Sequence, residues 1–496
     1  MMRGVTRLLP AFRRVVTPHV VKAFSSGLAL FLLLTGCFAH VEHLPKADPA
    51  RPEPYFSSTP DRELLVGVAL SGGGSRAALF AAGGLRALAE LRVGSGRRSL
   101  LEQVSYLSSV SGGSLAASYF ASQKPPHSQP VLTPDGSFTD GYRAFFDRFQ
   151  EAMSRDYEFP VLLRQIVNFR AFNPTKAATS LSEVLDEHFL NRMTLEELNH
   201  REARGDSPRL IINSTLYNNG RRFVITTLPH EAFQYNFVKE LGATLKKRGR
   251  VMDFPPSLEK AQEELTPWTF QDLQADPRRV PLSQAVAASA SFPPLIGPIS
   301  VQVEGSATYW HAGDGGLFDN QGTESLAQVL LKKLRDGAAR RVLIIALDSS
   351  YPFALGNERL DRTEKGFTVF TRDPSRIVGI MEQRANAYQA MVWHILQTEG
   401  ILLPDERTIK IIVLHHTDAE WKDDLSDLPA ACRTEDPRLD SPRAITQRLA
   451  QMPTRFSIES DCDRDLLLAA ADKVVRQHRP QILDFLEGRR AEGPGR

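Results

Sequence analysis

The sequence predicts an α/β fold in which a central, mostly parallel sheet is flanked by helices. Two units of strand, glycine turn and helix follow one another early in the chain. Such right-handed crossovers lay their strands parallel and put the helices on the faces of the sheet. Length and composition agree: the chain has 496 residues, 42% apolar and 24% charged, enough to bury one large or two moderate cores.

The first 40 residues are different in kind. Arg3, Arg7, Arg13, Arg14 and Lys22 precede an apolar run over 27–34, with no acidic residue before Glu42. A basic segment followed by a short apolar one is the pattern of a cleaved export signal. The run is too short for a transmembrane helix, which needs ~20 apolar residues. Leu34-Thr35-Gly36-Cys37 closes it. These residues resemble the bacterial lipobox. The resemblance implies a signal peptide over 1–36, a lipid anchor on Cys37, and a membrane-anchored lipoprotein of the cell envelope, at the outer membrane or periplasm of a Gram-negative bacterium. Residues 37–62 are rich in Pro, Glu, Ser and Arg without apolar periodicity, and read as a flexible tether.

The folded body is expected over 63–350. A short apolar strand over 64–70 stops at Ser71-Gly72-Gly73-Gly74-Ser75-Arg76, before an Ala- and Leu-rich helix over 77–91. The second unit is a strand over 104–110, the turn Ser111-Gly112-Gly113-Ser114 and a helix over 115–122. Helical patterns follow over 141–155 and 177–190. Strands over 210–216 and 222–227 flank Asn218-Asn219-Gly220, a hairpin signal. A helix over 281–290 stops at Phe292-Pro293-Pro294. Beyond Gly313-Asp314-Gly315-Gly316 come a helix over 323–335 and a buried strand over 341–347. The apolar segments 145–149 and 159–172 are candidates for core, lid or interfacial surface.

Residues 351–496 form a C-terminal extension expected to pack on this body. They carry a helix over 377–397, a strand over 409–414, an irregular excursion over 418–460 and a closing helix over 466–486, broken or kinked at Pro480. Cys432 and Cys462 lie here. An exported chain permits their pairing, but spacing alone leaves a bridge and two free thiols equally open.

Ester hydrolysis needs an activated nucleophile and fixed donors for the oxyanion. Ser111 stands where a strand turns into a helix, and Gly112 and Gly113 permit a sharp turn that lifts its hydroxyl above the sheet. Ser109 replaces the first glycine of the usual Gly-x-Ser-x-Gly elbow. The Gly72, Gly73 and Gly74 amides, at a helix start, form an anion-binding concavity. Asp314, between glycines, can bring a carboxylate close to another backbone. Arg76 either orients the glycine turn, meets a lipid phosphate, or serves an ordinary structural pair.

Two rival readings use the same residues. Gly72-x-Gly74-x-x-Ala77 fits a loose dinucleotide fingerprint, yet the acidic residue it requires is missing after the next strand position, with Glu90 inside the helical pattern. His311, His394, His415 or His416 could complete a Ser-His-Asp triad, although none sits in a recognisable catalytic turn.

Taken together and in order, the glycine turn, the Ser109-Val110-Ser111-Gly112-Gly113 elbow and Asp314-Gly315-Gly316 resemble the patatin-like phospholipase family. The likeness extends over about 64–347, including Ala290-Ser291-Phe292-Pro293-Pro294, and the Ser-Gly-Gly-Gly-Ser-Arg form is similar to the related cytosolic phospholipase A2 group. The resemblance implies a three-layer acyl hydrolase whose catalytic dyad is Ser111 and Asp314, with Gly72, Gly73 and Gly74 as oxyanion donors. A lipid is then the substrate and no cofactor is implied. No Cys/His cluster argues for a metal, and a net charge of +2 gives no reason to propose nucleic acid. The alternative is a non-catalytic lipid-binding or envelope-assembly protein on the same fold. The sequence leaves oligomeric state, lipid head group and cleavage position unspecified.

Overall fold

The computed structural model describes residues 40–48, 62–94, 98–168, 170, 173–250, 253–292, 296–351, 375–399 and 407–488. The export signal, Cys37 and most of the expected tether lie outside them, as do Pro293 and Pro294.

Eleven strands occur among the described residues: β1 (Glu42–Leu44), β2 (Leu64–Leu70), β3 (Arg92–Val93), β4 (Arg98–Ser99), β5 (Val104–Val110), β6 (Arg209–Leu216), β7 (Arg221–Thr226), β8 (Ile299–Val303), β9 (Tyr309–Asp314), β10 (Arg341–Asp348) and β11 (Thr408–His415). Nine form the central sheet, in the order β1-β8-β9-β6-β5-β2-β10-β11 with β7 also paired to β6, while β3 and β4 make a separate ribbon. β6, β5, β2, β10 and β11 are mutually parallel. The fold is the mostly parallel, helix-flanked sheet expected.

Side-chain alternation in the central strands explains the three layers. In β2, Val66, Val68 and Leu70 enter one core, and Leu65 and Ala69 enter the other. In β10, Leu343, Ile345 and Leu347 join the first, and Val342, Ile344 and Ala346 the second. A strand apolar on both faces must be covered on both. The helices Gly74–Ala89, Gly112–Gln123 and Asp461–Glu487 cover the first face, and Thr323–Asp336 covers the second, with Trp393 and Leu396 of Ser375–Glu399 beside it.

The pairing of β6 determines where the strand ends meet. One edge is taken by β7 over residues 211–216. The other is shared: β5 runs parallel along residues 209–213, and β9 comes antiparallel along 214–216. Val110 is level with Asn213 and Asp314 with Ser214. The residue that follows β5 and the last residue of β9 therefore meet at one point on the β6 edge.

Several expectations are corrected. Residues 42–44 of the expected tether are β1, parallel to β8, with Leu44 buried; beyond it the Pro45 carbonyl accepts from Asp276 N–H, and Ala47 N–H donates to the Gln274 carbonyl, with Lys46 opposite Ala275. Polar composition concealed a strand too short to show periodicity. The segment 418–460 contains the helices Ala430–Glu435 and Pro442–Gln451. The closing helix is not broken at Pro480 and runs from Asp461 to Glu487. For the segment 145–149 the core alternative holds: Phe145, Phe146 and Phe149 are fully buried aromatic core.

Residues beyond 350 do more than pack on the body. β11 extends the central sheet, and the closing helix crosses Gly74–Ala89 closely enough that a Cβ at Gly83 would sit 2.9 Å from that of Ala471. Cys432 and Cys462, both buried, form a disulfide that ties the start of this helix to Ala430–Glu435.

The bridge closes a loop with a sequence separation of 30. Replacing both cysteines by alanine is expected to lower unfolding free energy by about 3 kcal/mol through the freed unfolded chain. Urea denaturation of the double variant checks this, alongside a thiol count before and after reduction.

Candidate active site

β5 ends at Val110, and Ser111 turns the chain into the helix Gly112–Gln123 with φ 50° and ψ −120°. A serine at positive φ is strained, and such strain persists only where the surroundings impose it. Here they do. Ser111 N donates to Ser289 Oγ (2.9 Å), and Ser289 Oγ donates to the Asn213 carbonyl (2.5 Å). A Cβ at Gly112 would overlap the Gly74 carbonyl oxygen, and one at Gly113 that of Leu70. Both glycines are there because two backbones touch.

Ser109, the departure from the usual elbow, is fully buried yet satisfied: its hydroxyl accepts from Ser114 Oγ (3.1 Å) and donates to the Ile211 carbonyl (3.4 Å). Asn213 supports the same turn, donating to Ser108 Oγ and the Ser109 carbonyl (3.0 Å each). A serine in place of glycine thus costs no unpaired polar group.

Ser111 Oγ donates to Asp314 Oδ2 at 2.8 Å. Asp314 closes β9, its N–H bonded to the Ser291 carbonyl (3.1 Å) and its Oδ1 accepting from Gly316 N (2.7 Å). The carboxyl is 2% exposed and the serine 7%. Burial pushes the Asp314 carboxyl up to about 7, while the bonds from Gly316 N–H and Ser111 hold it down. An aspartate so placed is a far stronger base than one in water.

The glycine turn divides its amides. Gly72 N–H donates to the Asn320 carbonyl at 2.9 Å, which corrects its assignment as an oxyanion donor. The turn needs that bond to stay against the Asp314 loop, and a Cβ at Gly72 would overlap Asn320 Oδ1. Gly73 and Gly74 have φ of 137° and 62°, and no hydrogen bond of their N–H groups occurs among the described residues. The next amide, Ser75 N–H, donates to the Arg455 carbonyl (2.7 Å), and a Cβ at Gly74 would overlap that oxygen. The Gly72 and Ser75 amides that would cradle a pyrophosphate are taken by the Asn320 and Arg455 carbonyls, and Glu90 caps the helix Gly74–Ala89 instead of ending a strand. The dinucleotide reading fails on both counts.

Arg76 is 1% exposed and grips the backbone: Nε and Nη2 donate to the Ser349 carbonyl (3.1 and 2.9 Å), and Nη1 donates to that of Met452. It fastens the glycine turn to two distant loops. The lipid-phosphate role is thereby corrected, because its donors point into protein carbonyls.

Ser111 and Asp314 open into a cleft walled by Gly73, Gly74, Phe292, Asn320, Glu382 and Phe456 among others. No histidine is among the described residues that line it, and His311 and His415 are bonded elsewhere, to Ser300 Oγ and Thr417 Oγ1. Glu382 accepts from Asn320 Nδ2 at 3.3 Å. Burial, then the negative charges of Asp314 and Asp348, push its carboxyl up to about 8, against the pull of Arg76. Sequence reasoning missed Ser289, Asn320, Glu382 and Arg455. The first two stand in segments already noted for small residues and for Asp-Gly-Gly, whereas Glu382 and Arg455 carry no local signal.

A strained serine at a strand-to-helix turn, bonded to a buried aspartate beside unpaired amides at a helix start, is an arrangement with the parts that acyl transfer requires. The sequence pattern of the patatin-like phospholipase family matches residues 68–327, more than half of the chain, and the chain belongs to this family. Among solved structures, the chain is similar to human GIVD cytosolic phospholipase A2 in complex with methyl gamma-linolenyl fluorophosphonate and terbium chloride. Identity is 15%, over 88% of this chain and 61% of that one, with a TM-score of 0.43. It is also similar to VipD from Legionella pneumophila, at 14% identity over 87% and 78% of the two chains and a TM-score of 0.25. The chain thus spans about three fifths of the human phospholipase it matches. No curated protein sequence matches it significantly.

Two predictions follow from the packing and the buried acid. Gly112→Ala should displace the Gly74 carbonyl, lowering stability by about 2 kcal/mol or more, with the loss read from the thermal midpoint. For Asp314, the folded state holds a proton between pH 3.8 and about 7 that the unfolded state releases. Wild-type stability therefore falls as pH rises through that window. Asp314→Asn should be more stable than wild type at pH 8, and the gap should close towards pH 4; an equal gap at both would show that ionisation is not its cause.

Proposed function

We propose that the chain is a serine acyl hydrolase that cleaves ester bonds of phospholipids or related lipids through an acyl-serine intermediate. The observation that carries this reading is the 2.8 Å bond from the Ser111 hydroxyl to the buried Asp314 carboxyl. Family membership supplies the substrate class.

Asp314 Oδ2 takes the Ser111 proton as Oγ attacks the acyl carbonyl carbon. The Gly73 and Gly74 amides, with the start of their helix behind them, stabilise the resulting oxyanion; one such donor is typically worth ~3 kcal/mol. Collapse breaks the ester bond, and the departing alkoxide takes the proton from Asp314. Water then gives a proton to Asp314 as its oxygen attacks the acyl-serine. The fatty acid leaves, and Ser111 Oγ recovers the proton. No histidine and no cofactor enters any step. A carboxyl near 7 suits a group that must both accept and return a proton at neutral pH.

The lipobox-like 34–37 segment supports a lipoprotein held on an envelope membrane through acylated Cys37, next to its substrate. Several acyl chains on one residue make such attachment stable.

Ser111→Ala and Asp314→Asn should each lower fatty-acid release from phospholipid vesicles by about a thousandfold with the fold intact, as read by lipid mass spectrometry. In wild type, kcat/KM should fall as pH drops below about 7, where Asp314 becomes protonated. Undiminished hydrolysis in either variant sinks the dyad. If wild type releases no fatty acid from any lipid class, a binding role replaces the hydrolase.

A further inference from the structure

Helix Glu158–Val167 is built inside out. Phe159, Leu162, Leu163, Ile166 and Val167 recur at the spacing of one helical face, the pattern by which a helix normally seats on a core. That face points outward, with the five side chains between 48% and 63% exposed. The polar side is turned to the protein: Arg164 pairs with Glu183 (3.8 Å) and Glu187, and Gln165 Nε2 donates to the Lys176 carbonyl (3.2 Å). Asp156 Oδ1 caps the start, accepting from Glu158 N and Phe159 N (2.8 and 3.1 Å). The helix is thus well anchored, and its apolar face remains in water.

Its two ends identify the partner. At the first, Tyr157 N donates to the Phe456 carbonyl (2.8 Å), and Arg455 approaches Glu158 (3.7 Å); both Arg455 and Phe456 wall the cleft. At the other, Lys176 follows Thr175, whose Oγ1 accepts from His40 N at 2.9 Å. Cys37 is three residues before His40, so even a fully extended chain keeps it within ~11 Å of that point. The helix thus bridges the point where an acylated N-terminus emerges and the cleft that holds Ser111. Another wall of the cleft repeats the theme: Ile380 and Met381, beside Gly379 and Glu382, are 58% and 66% exposed.

We propose that helix Glu158–Val167 docks in the lipid surface, its apolar face among the acyl chains, and thereby holds the cleft against the bilayer that supplies its substrate. The proposal rests on the lipid hydrolase and Cys37 anchor of the preceding section. It adds a second, non-covalent attachment that orients the molecule, since an acyl anchor alone leaves it free to rotate.

The test uses the full chain carrying Cys37→Ser, so that acylation does not mask weaker binding. Sedimentation with vesicles of phosphatidylethanolamine and phosphatidylglycerol is compared with the same chain carrying Phe159→Ser, Leu163→Ser and Ile166→Ser. The triple variant should lose about tenfold or more in vesicle binding and in hydrolysis of vesicle phospholipid, yet keep its rate on a monomeric short-chain ester. In a separate Phe159→Trp chain, tryptophan emission should shift to the blue on adding vesicles. Unchanged vesicle binding by the triple variant overturns the proposal. So does an equal loss on both substrates, which would mark a structural role. A dimer in the parent that becomes monomer in the variant overturns it too, because a second copy then covers the face. If no ester is cleaved by any form, the hydrolase fails, while sedimentation and fluorescence still decide the docking.

Discussion

Most of the site depends on the shared edge of β6. β5 occupies it as far as Asn213, and β9 occupies it from Ser214 onward in the opposite direction. Neither strand can slip by one residue without turning its side chains to the other face. Strand register thus becomes a distance: the residue after Val110 and the last residue of β9 are delivered to one place. There the Ser111 hydroxyl and the Asp314 carboxyl meet at 2.8 Å. Ser289, bonded to both Ser111 N and the Asn213 carbonyl, ties the strained turn to that edge.

Burial then changes what the paired groups can do. A carboxylate in water is too weak a base to help a serine, but desolvation favours its neutral form. The walls that exclude water come from far along the chain. The Arg455 carbonyl fills the start of the helix after the glycine turn, Arg76 ties that turn to Ser349 and Met452, and Glu382 bonds to Asn320 across the cleft. The C-terminal region is therefore part of the site's frame. The closing helix packs directly on Gly74–Ala89, the helix that begins at that turn.

The outer surface obeys a different requirement. A soluble helix turns its apolar stripe inward, and Glu158–Val167 does the reverse while keeping firm polar contacts with the body. Such an arrangement is unfavourable in water and natural at a lipid boundary. Phe145, Phe146 and Phe149, equally apolar in sequence, instead pack against one another and against Tyr119, Phe120, Phe138 and Tyr142 in the core. Composition could not separate these two segments, because apolar periodicity marks an apolar face without stating what covers it.

Local chemistry was legible in the sequence. The two strand-turn-helix units, the elbow at Ser111, the glycine turn, the Asp-Gly-Gly and the hairpin at Asn218-Asn219-Gly220 all lie where their residue types put them, since turns and helix starts depend on neighbours in the chain. The parallel centre of the sheet was legible for the same reason, from continuous apolar runs such as 64–70 and 341–347. Contacts across the fold were not. The strands β1, β8 and β9 are short or mixed in polarity, and although β8 and β9 pair with each other locally, their places in the sheet depend on distant partners, β1 on β8 and β9 on β6. Gly72 looked like an oxyanion donor until Asn320 claimed its N–H, and Arg76 looked like a phosphate ligand until two carbonyls claimed its guanidinium. Residue type states what a group can bond to. Only the tertiary structure decides which bonds are already taken, because burial forces each polar group to find its partner among whatever the rest of the chain brings beside it.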